Sequence, residues 1–107
     1  MDKARATSTQ PLSSRSRKKN QRAADELLEV AGDEKLPLDV IELDVTVPES
    51  VNSAIERVSR AGIPDVLVNN AGHMSIGIAE AFTEEQAQRQ FDVNFFGPVR
   101  LCRALLP

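Results

Sequence analysis

The stretch PDVLVNNAGHMSIG, from Pro64 to Gly77, changes character halfway along. Its first part is apolar and β-branched, which is typical of a short buried strand, and it runs into two asparagines, an alanine and a glycine. Asparagine offers a donor and an acceptor on a short side chain, and alanine and glycine leave the backbone open to a flat ligand. The stretch predicts a strand that ends in a ligand-binding turn; an ordinary asparagine-rich turn is the alternative.

Helical and strand patterns alternate around this stretch. Asn20 can cap a helix, LPLDVIELDV (residues 36–45) predicts a strand ending at Asp44, and a second helix follows it. After the central stretch, a Thr83-x-x-Gln86 capping box opens a long helix over residues 83–106. The order α-β-α-β-α predicts an α/β fold with a parallel sheet, whose ligands bind at the carboxyl ends of the strands. Asp44 and the Asn69–Gly72 turn both fall at such ends.

Composition limits the classes to consider. The 107 residues allow one domain, the single cysteine argues against a disulfide framework, and no apolar run is long enough to span a membrane. We therefore expect a cytoplasmic protein with no membrane or nucleic-acid partner. Residues 1–22 carry seven basic groups and one acid, against six and fifteen in the remainder. Residues 1–19 are expected to be a disordered basic arm, with a nucleic-acid patch, a targeting segment or a phosphate-binding loop as alternatives.

Three segments together, LDVT (residues 43–46), VLVNNAG (residues 66–72) and VNFFG (residues 93–97), closely resemble the short-chain dehydrogenase/reductase family. The resemblance implies a partial, doubly wound, Rossmann-like domain over residues 20–107. It implies an NAD(P) cofactor, with the adenine amino group at the carboxylate of Asp44 and the adenosine ribose and pyrophosphate along the turn. The cofactor contacts so implied come from five residues: Asp44, Val45, Asn70, Ala71 and Gly72. No metal ligand is predicted.

Asn94 resembles the helix asparagine of the family's Asn-Ser-Tyr-Lys catalytic tetrad. The sequence adds a physical argument, because Pro98 lies four residues later and lacks the N–H that would bond the Asn94 carbonyl. We therefore expect a kink that frees this carbonyl, which in the family holds a water of the proton relay. A kink for packing alone is the alternative. His73, the only histidine, is expected to be a loop residue and not an acid–base group.

Two hallmarks of the family have no counterpart here. The glycine-rich phosphate turn would precede the first helix, yet the first glycine is Gly32, and the 107 residues contain no tyrosine. In the doubly wound strand order 3-2-1-4-5-6, the two predicted strands match the third and fourth, which are not neighbours. We therefore expect a fragment that lacks the first two and the later strands and shows no turnover by itself; whether it binds the cofactor alone is left open.

The resemblance implies a parent reaction of hydride transfer between a nicotinamide cofactor and a small-molecule carbonyl or secondary alcohol. The run Arg15-Ser16-Arg17-Lys18-Lys19 contains no acid, which favours NADP over NAD, since basic groups suit a 2′-phosphate. The alternative function is a non-catalytic remnant or interaction protein that uses the helix over residues 83–106 to form a homo-oligomer.

Overall fold

The computed structural model describes residues 4–8, 14–74 and 76–106. The chain divides into two compact units, Met1–Asp44 and Val45–Pro107. The described residues contain both helices and strands, so the α/β class expected from the alternating pattern is confirmed.

The first unit is a strand–helix–strand arrangement. Strand β1 (Ala4–Ser8) leads to helix α1 (Ser14–Asp33), which is followed by strand β2 (Leu38–Glu42). The two strands pair in parallel, with Ala4 opposite Leu38 and Ser8 opposite Glu42, and α1 packs against β2. Among the described residues of this unit, the buried apolar side chains are Ala31, Ile41 and Leu43.

This unit corrects the expected arm over residues 1–19. Ala4–Ser8 is a strand, and α1 begins at Ser14, six residues before the predicted cap at Asn20; residues 1–3 and 9–13 lie outside the described part. Composition misled here for two reasons. A parallel neighbour provides backbone hydrogen bonds that a count of apolar residues does not register. Arginine and lysine also favour helix, so the basic run lengthens α1 on the N-terminal side of Asn20.

The second unit is helical in its regular parts. Helix α2 (Pro48–Ser59) starts with proline in its first turn and packs against helix α4 (Gly97–Leu105). Val51, Ala54 and Val58 recur at helical spacing on α2 and are buried, as is Leu101 on α4. These side chains form the apolar contact that fixes α4 in the second unit.

The long helix predicted from residue 83 is present in three consecutive pieces. They are helix α3 (Glu84–Phe91), a π-helical turn (Asp92–Phe96) and α4. The predicted capping box is confirmed: the Gln86 N–H donates to the Thr83 hydroxyl at 3.2 Å, and the Thr83 N–H donates to the Gln86 side chain at 3.0 Å. A short 3₁₀ turn (Ala79–Ala81) precedes it.

The phenylalanines of this helix are largely exposed and do not belong to the core. Phe91 is 63% exposed and Phe95 56% exposed, whereas Gly97 and Leu101 are buried. A stripe extrapolated at regular spacing from Phe91 loses phase at the π turn, because that turn inserts an extra residue. Among the helices of the described part, none is long and apolar enough to cross a membrane.

The strand predicted over residues 65–70 is wrong. These residues carry no regular secondary structure, and Val66 and Val68 are 76% and 77% exposed. A strand forms only where a neighbour completes its hydrogen-bond ladder. In the doubly wound order the fourth strand pairs with the first, and the sheet of the described residues consists of β1 and β2 alone.

Candidate functional site

The helix that carries Asn94 is irregular at the place where the Gly97-Pro98 pair predicts a break. Over Asp92–Phe96 it widens into a π-helical turn, closed by a hydrogen bond from the Gly97 N–H to the Asp92 carbonyl. Such turns occur mostly as single insertions within α-helices and frequently at functional sites. The helix is therefore irregular where a kink was expected, while the kink itself and a free Asn94 carbonyl stay predictions.

The Asn94 side chain holds the backbone of His73. Its Oδ1 accepts a hydrogen bond from the His73 N–H at 2.8 Å, and its Nδ2 donates to the His73 carbonyl at 2.8 Å. One carboxamide thus satisfies both main-chain groups of a single residue, as a neighbouring strand would. The turn that follows residue 68 is joined in this way to the π-helical turn, across 21 residues of sequence.

The rest of the asparagine-rich turn is open to solvent. Asn70, Gly72 and His73 are exposed, and Ala71 is half-buried. A Cβ on Gly72 would lie 3.6 Å from Asn94 Oδ1, which is an ordinary contact distance. Asn69 directs its Nδ2 at the Cys102 sulfur on α4, at 3.8 Å. The predicted residues of this turn are therefore accessible. Ala71 contributes only a methyl group and Gly72 no side chain, so the backbone there is open.

Val45 is fixed from two directions. Its side chain is 1% exposed and lies so close to Gly97 that a Cβ there would be 2.7 Å from Val45 Cγ2. Its carbonyl accepts a hydrogen bond from Arg100 Nη1 at 3.0 Å. The other prong of that guanidinium, Nη2, lies 2.6 Å from Asp92 Oδ1. The backbone of Val45 is consequently held by α4 and by the start of the π turn.

The second unit thus brings together three of the predicted features around one helical element. Asn94 is part of the π turn, and it binds His73, which directly follows the turn at residues 70–72. Val45 is bound by Arg100 of α4. Asp44 is half-buried and ends the first unit, one residue before Val45. No group of three or more potential metal ligands occurs among the described residues.

Sequence reasoning missed the roles of Arg100, Asp92 and Gly97. Pairing rules for helices consider residues three or four apart, and Asp92 and Arg100 are eight apart on an element with a π insertion. The one available signal for Gly97 was a glycine inside an apolar helical pattern, which often marks a close approach of two backbones or side chains.

Comparison with known proteins identifies the family of this chain. Residues 4–107 match the family model described as short chain dehydrogenase. The chain belongs to the short-chain dehydrogenase family. The resemblance inferred from the three sequence segments is confirmed, and the match also includes most of the segment predicted to be an arm.

Individual members of the short-chain dehydrogenase family agree with this assignment. The chain is 45% identical over 84 residues to retinol dehydrogenase 8 of Homo sapiens, which covers 77% of the chain and 26% of that protein. A short-chain dehydrogenase structure from Streptomyces avermitilis superposes with a TM-score of 0.78 at 36% identity, covering 99% of the chain and 35% of the other. A carbonyl reductase from chicken fatty liver, solved with NADPH bound, gives a TM-score of 0.76 at 26% identity, with 96% and 38% covered.

The chain spans about a quarter of the length of the curated relatives it matches, with 24% and 26% of two of them covered. It spans 35% and 38% of the two solved structures.

Proposed function

We propose that these 107 residues form the adenosine-binding and helix-asparagine part of an NAD(P)-dependent short-chain oxidoreductase. The parent reaction is hydride transfer between a nicotinamide cofactor and a carbonyl or secondary alcohol. One observation carries the proposal: the Asn94 side chain joins the π-helical turn to the asparagine-rich turn through two hydrogen bonds of 2.8 Å to His73. The third family segment thereby contacts His73, the residue that directly follows the second.

The residues present fit the adenosine half of such a cofactor. Asn70, Ala71 and Gly72 leave an accessible length of backbone with little side chain, against which a ribose and a pyrophosphate can lie. We assign the adenine contacts to the Asp44 carboxylate and the Val45 amide. Bound there, the cofactor supplies the hydride chemistry, while the protein's part is to bind and orient it.

Asn94 is proposed to act through its backbone carbonyl, which would hold a water of the proton relay. Both heteroatoms of its carboxamide are already bonded to His73, which leaves the backbone carbonyl as the group that could bind the water. The 107 residues contain no tyrosine to serve as the proton donor, so that group has to come from outside them. We expect no oxidoreductase turnover from the 107 residues alone.

NADP is proposed as the preferred cofactor. Strand β1 is the parallel neighbour of β2, and in the doubly wound order the neighbour of the third strand is the second. If β2 is the third strand, the basic run over residues 15–19 follows the second strand, where this family meets the adenosine ribose. The carbonyl reductase from chicken fatty liver, which superposes on this chain, binds NADPH.

Two measurements test the proposal. Titration of the chain with NADPH and NADH, followed by nucleotide fluorescence, should show binding that favours NADPH. A chimera that carries residues 15–107 in a complete family member should reduce a ketone with the same preference. Replacing Arg15 and Arg17 by alanine should weaken that preference. Failure of both the chain and the chimera to bind either nucleotide would refute the proposal, and an NADH preference insensitive to the two arginines would refute the NADP assignment.

Self-association is proposed as a second property, because one observation favours it. The phenylalanines of the helix over residues 83–106 are largely exposed, at 63%, 56% and 49% for Phe91, Phe95 and Phe96, and an exposed aromatic group of this kind is typical of interfaces. Sedimentation equilibrium of the chain should show a dimer that Phe91→Glu with Phe95→Glu converts to monomer. A monomer at all concentrations would exclude this property and leave the nucleotide-binding proposal unaffected.

A further inference from the structure

The guanidinium of Arg100 connects the backbone at Val45 to the π-helical turn at Asp92. Nη1 donates to the Val45 carbonyl at 3.0 Å, and Nη2 pairs with Asp92 Oδ1 at 2.6 Å. The arginine and aspartate side chains are 30% and 37% exposed, so both contacts are partly shielded from water. Two directed bonds from a planar fork fix orientation in a way that a single charge cannot.

The Asp92 contact spans the π-helical turn. Asp92 is the first residue of that turn, and its carbonyl accepts the hydrogen bond from Gly97 that closes it. Its carboxylate reaches past the turn to Arg100, which lies one turn into α4. The ion pair therefore holds the two helical segments on either side of the inserted residue, and Asn94 lies between its ends.

The Val45 contact acts on the other proposed cofactor segment. The Val45 side chain is packed against Gly97, and the hydrogen bond to its carbonyl adds a second restraint on the same residue. Once the carbonyl and the side chain are held, the tetrahedral Cα of Val45 also fixes where its backbone nitrogen lies.

We propose that Arg100 is a positioning residue for the cofactor site, one that touches no cofactor. It holds the Val45 backbone, at the adenine end, and the π-helical turn that aims Asn94 at His73. This inference rests on the proposed function for the assignment of Val45 and Asn94 to a nucleotide site. The positioning itself rests on the two bonds alone.

The test uses the 107-residue chain and four variants. Arg100→Gln removes the charge and one prong, Arg100→Lys keeps the charge without the fork, and Asp92→Asn removes the ion pair but leaves the Val45 contact. Arg103→Gln is the matched control, because Arg103 has the same charge on the same helix and is exposed. The amide signals of Val45 and His73 are read by ¹H–¹⁵N NMR, and NADPH binding is read by fluorescence titration.

Arg100→Gln should shift both amide signals and weaken NADPH binding by about tenfold, the effect of losing one hydrogen bond to a charged group. Arg100→Lys should recover only part of that loss, and Arg103→Gln should change nothing. Asp92→Asn should shift the His73 signal more than the Val45 signal. This last variant also decides the matter if Arg100→Gln fails to fold.

Three results separate the possibilities. Unchanged Val45 and His73 signals in a folded Arg100→Gln or Asp92→Asn variant would overturn the inference. Shifted signals with NADPH affinity equal to that of the unmodified chain would also overturn it, since Arg100 would then be a structural residue only. Shifted signals in a chain that never binds NADPH would uphold the positioning of the two segments and contradict the nucleotide proposal instead.

Discussion

Replacing Gly97 by alanine should force the contact between α4 and Val45 apart. Gly97 is buried, and its φ of −56° is one that alanine adopts without strain, so any loss of stability has to come from the added methyl group. That methyl would lie 2.7 Å from Val45 Cγ2 and 3.0 Å from Val45 Cβ. Rotation about χ1 can move Cγ2 away, but it cannot move Cβ.

The size of the effect follows from these distances. Carbon atoms pack best at about 3.5–4.0 Å, so relief requires the helix or the Val45 backbone to move by roughly 1 Å. Overpacking of this kind typically costs about 1–3 kcal/mol. The higher helix propensity of alanine returns about 1 kcal/mol. The expected net change is a loss of about 0–2 kcal/mol in unfolding free energy. Because this range includes zero, the single variant does not separate the clash from the propensity gain.

A double-mutant cycle isolates the clash from the propensity gain. Gly97→Ala, Val45→Ala and the double variant are compared by urea denaturation of the chain, and the coupling energy should be about 1–2 kcal/mol in favour of the double variant. Gly32→Ala is the matched control, because Gly32 lies on α1 with no atom within 4 Å of an added Cβ. It should stabilise the chain by about 0.4–1 kcal/mol. If Gly97→Ala stabilises as much as Gly32→Ala, with no coupling to Val45, the packing described here is wrong.

Three further substitutions address the helix and the turn. Thr83→Ala should cost about 0.5–2 kcal/mol of unfolding free energy by removing the α3 cap, and Thr83→Ser should cost much less; equal losses in denaturation would contradict a hydroxyl cap. Asn94→Asp keeps an acceptor for the His73 N–H but loses the donor to its carbonyl, so hydrogen exchange at the His73 amide should quicken severalfold, while Asn94→Gln should not restore protection. Gly72→Ala should leave the denaturation midpoint within about 0.5 kcal/mol of the unmodified chain, because the new methyl meets only an ordinary contact, yet weaken NADPH binding; unchanged affinity would remove Gly72 from the proposed site.

The sequence predicted correctly those features that depend on interactions between residues close together in the chain. The Thr83-x-x-Gln86 box predicted a helix start, and both of its hydrogen bonds are formed. The apolar residues of α2 recur at helical spacing, and of these Val51, Ala54 and Val58 are buried while Ile55 is half-buried. Each of these features depends on residues within one or two turns of one another, so a single sequence contains the necessary information.

Long-range pairing explains the two elements that were predicted wrongly. β1 was overlooked because Ala4–Ser8 has little apolar content, and its stability comes from the parallel neighbour β2, thirty-four residues along the chain. The residues at 65–70 have a strong strand pattern and form no strand, since a strand depends on a partner that the pattern does not specify. In both cases the hydrogen-bond ladder, and not the intrinsic preference, decided the outcome.

The asparagine-rich turn is nevertheless held in place although the strand before it is absent. Asn94 supplies His73 with a donor and an acceptor, the two groups that an adjacent strand would otherwise provide. The turn is therefore anchored by two hydrogen bonds to the helical element formed by α3, the π-helical turn and α4. Val45 is anchored to the same element through Arg100 and Gly97. The helical element therefore positions both backbone segments that we propose to contact the cofactor. Perturbing the helix should thus affect nucleotide binding more than perturbing residues 65–68, whose side chains are largely exposed.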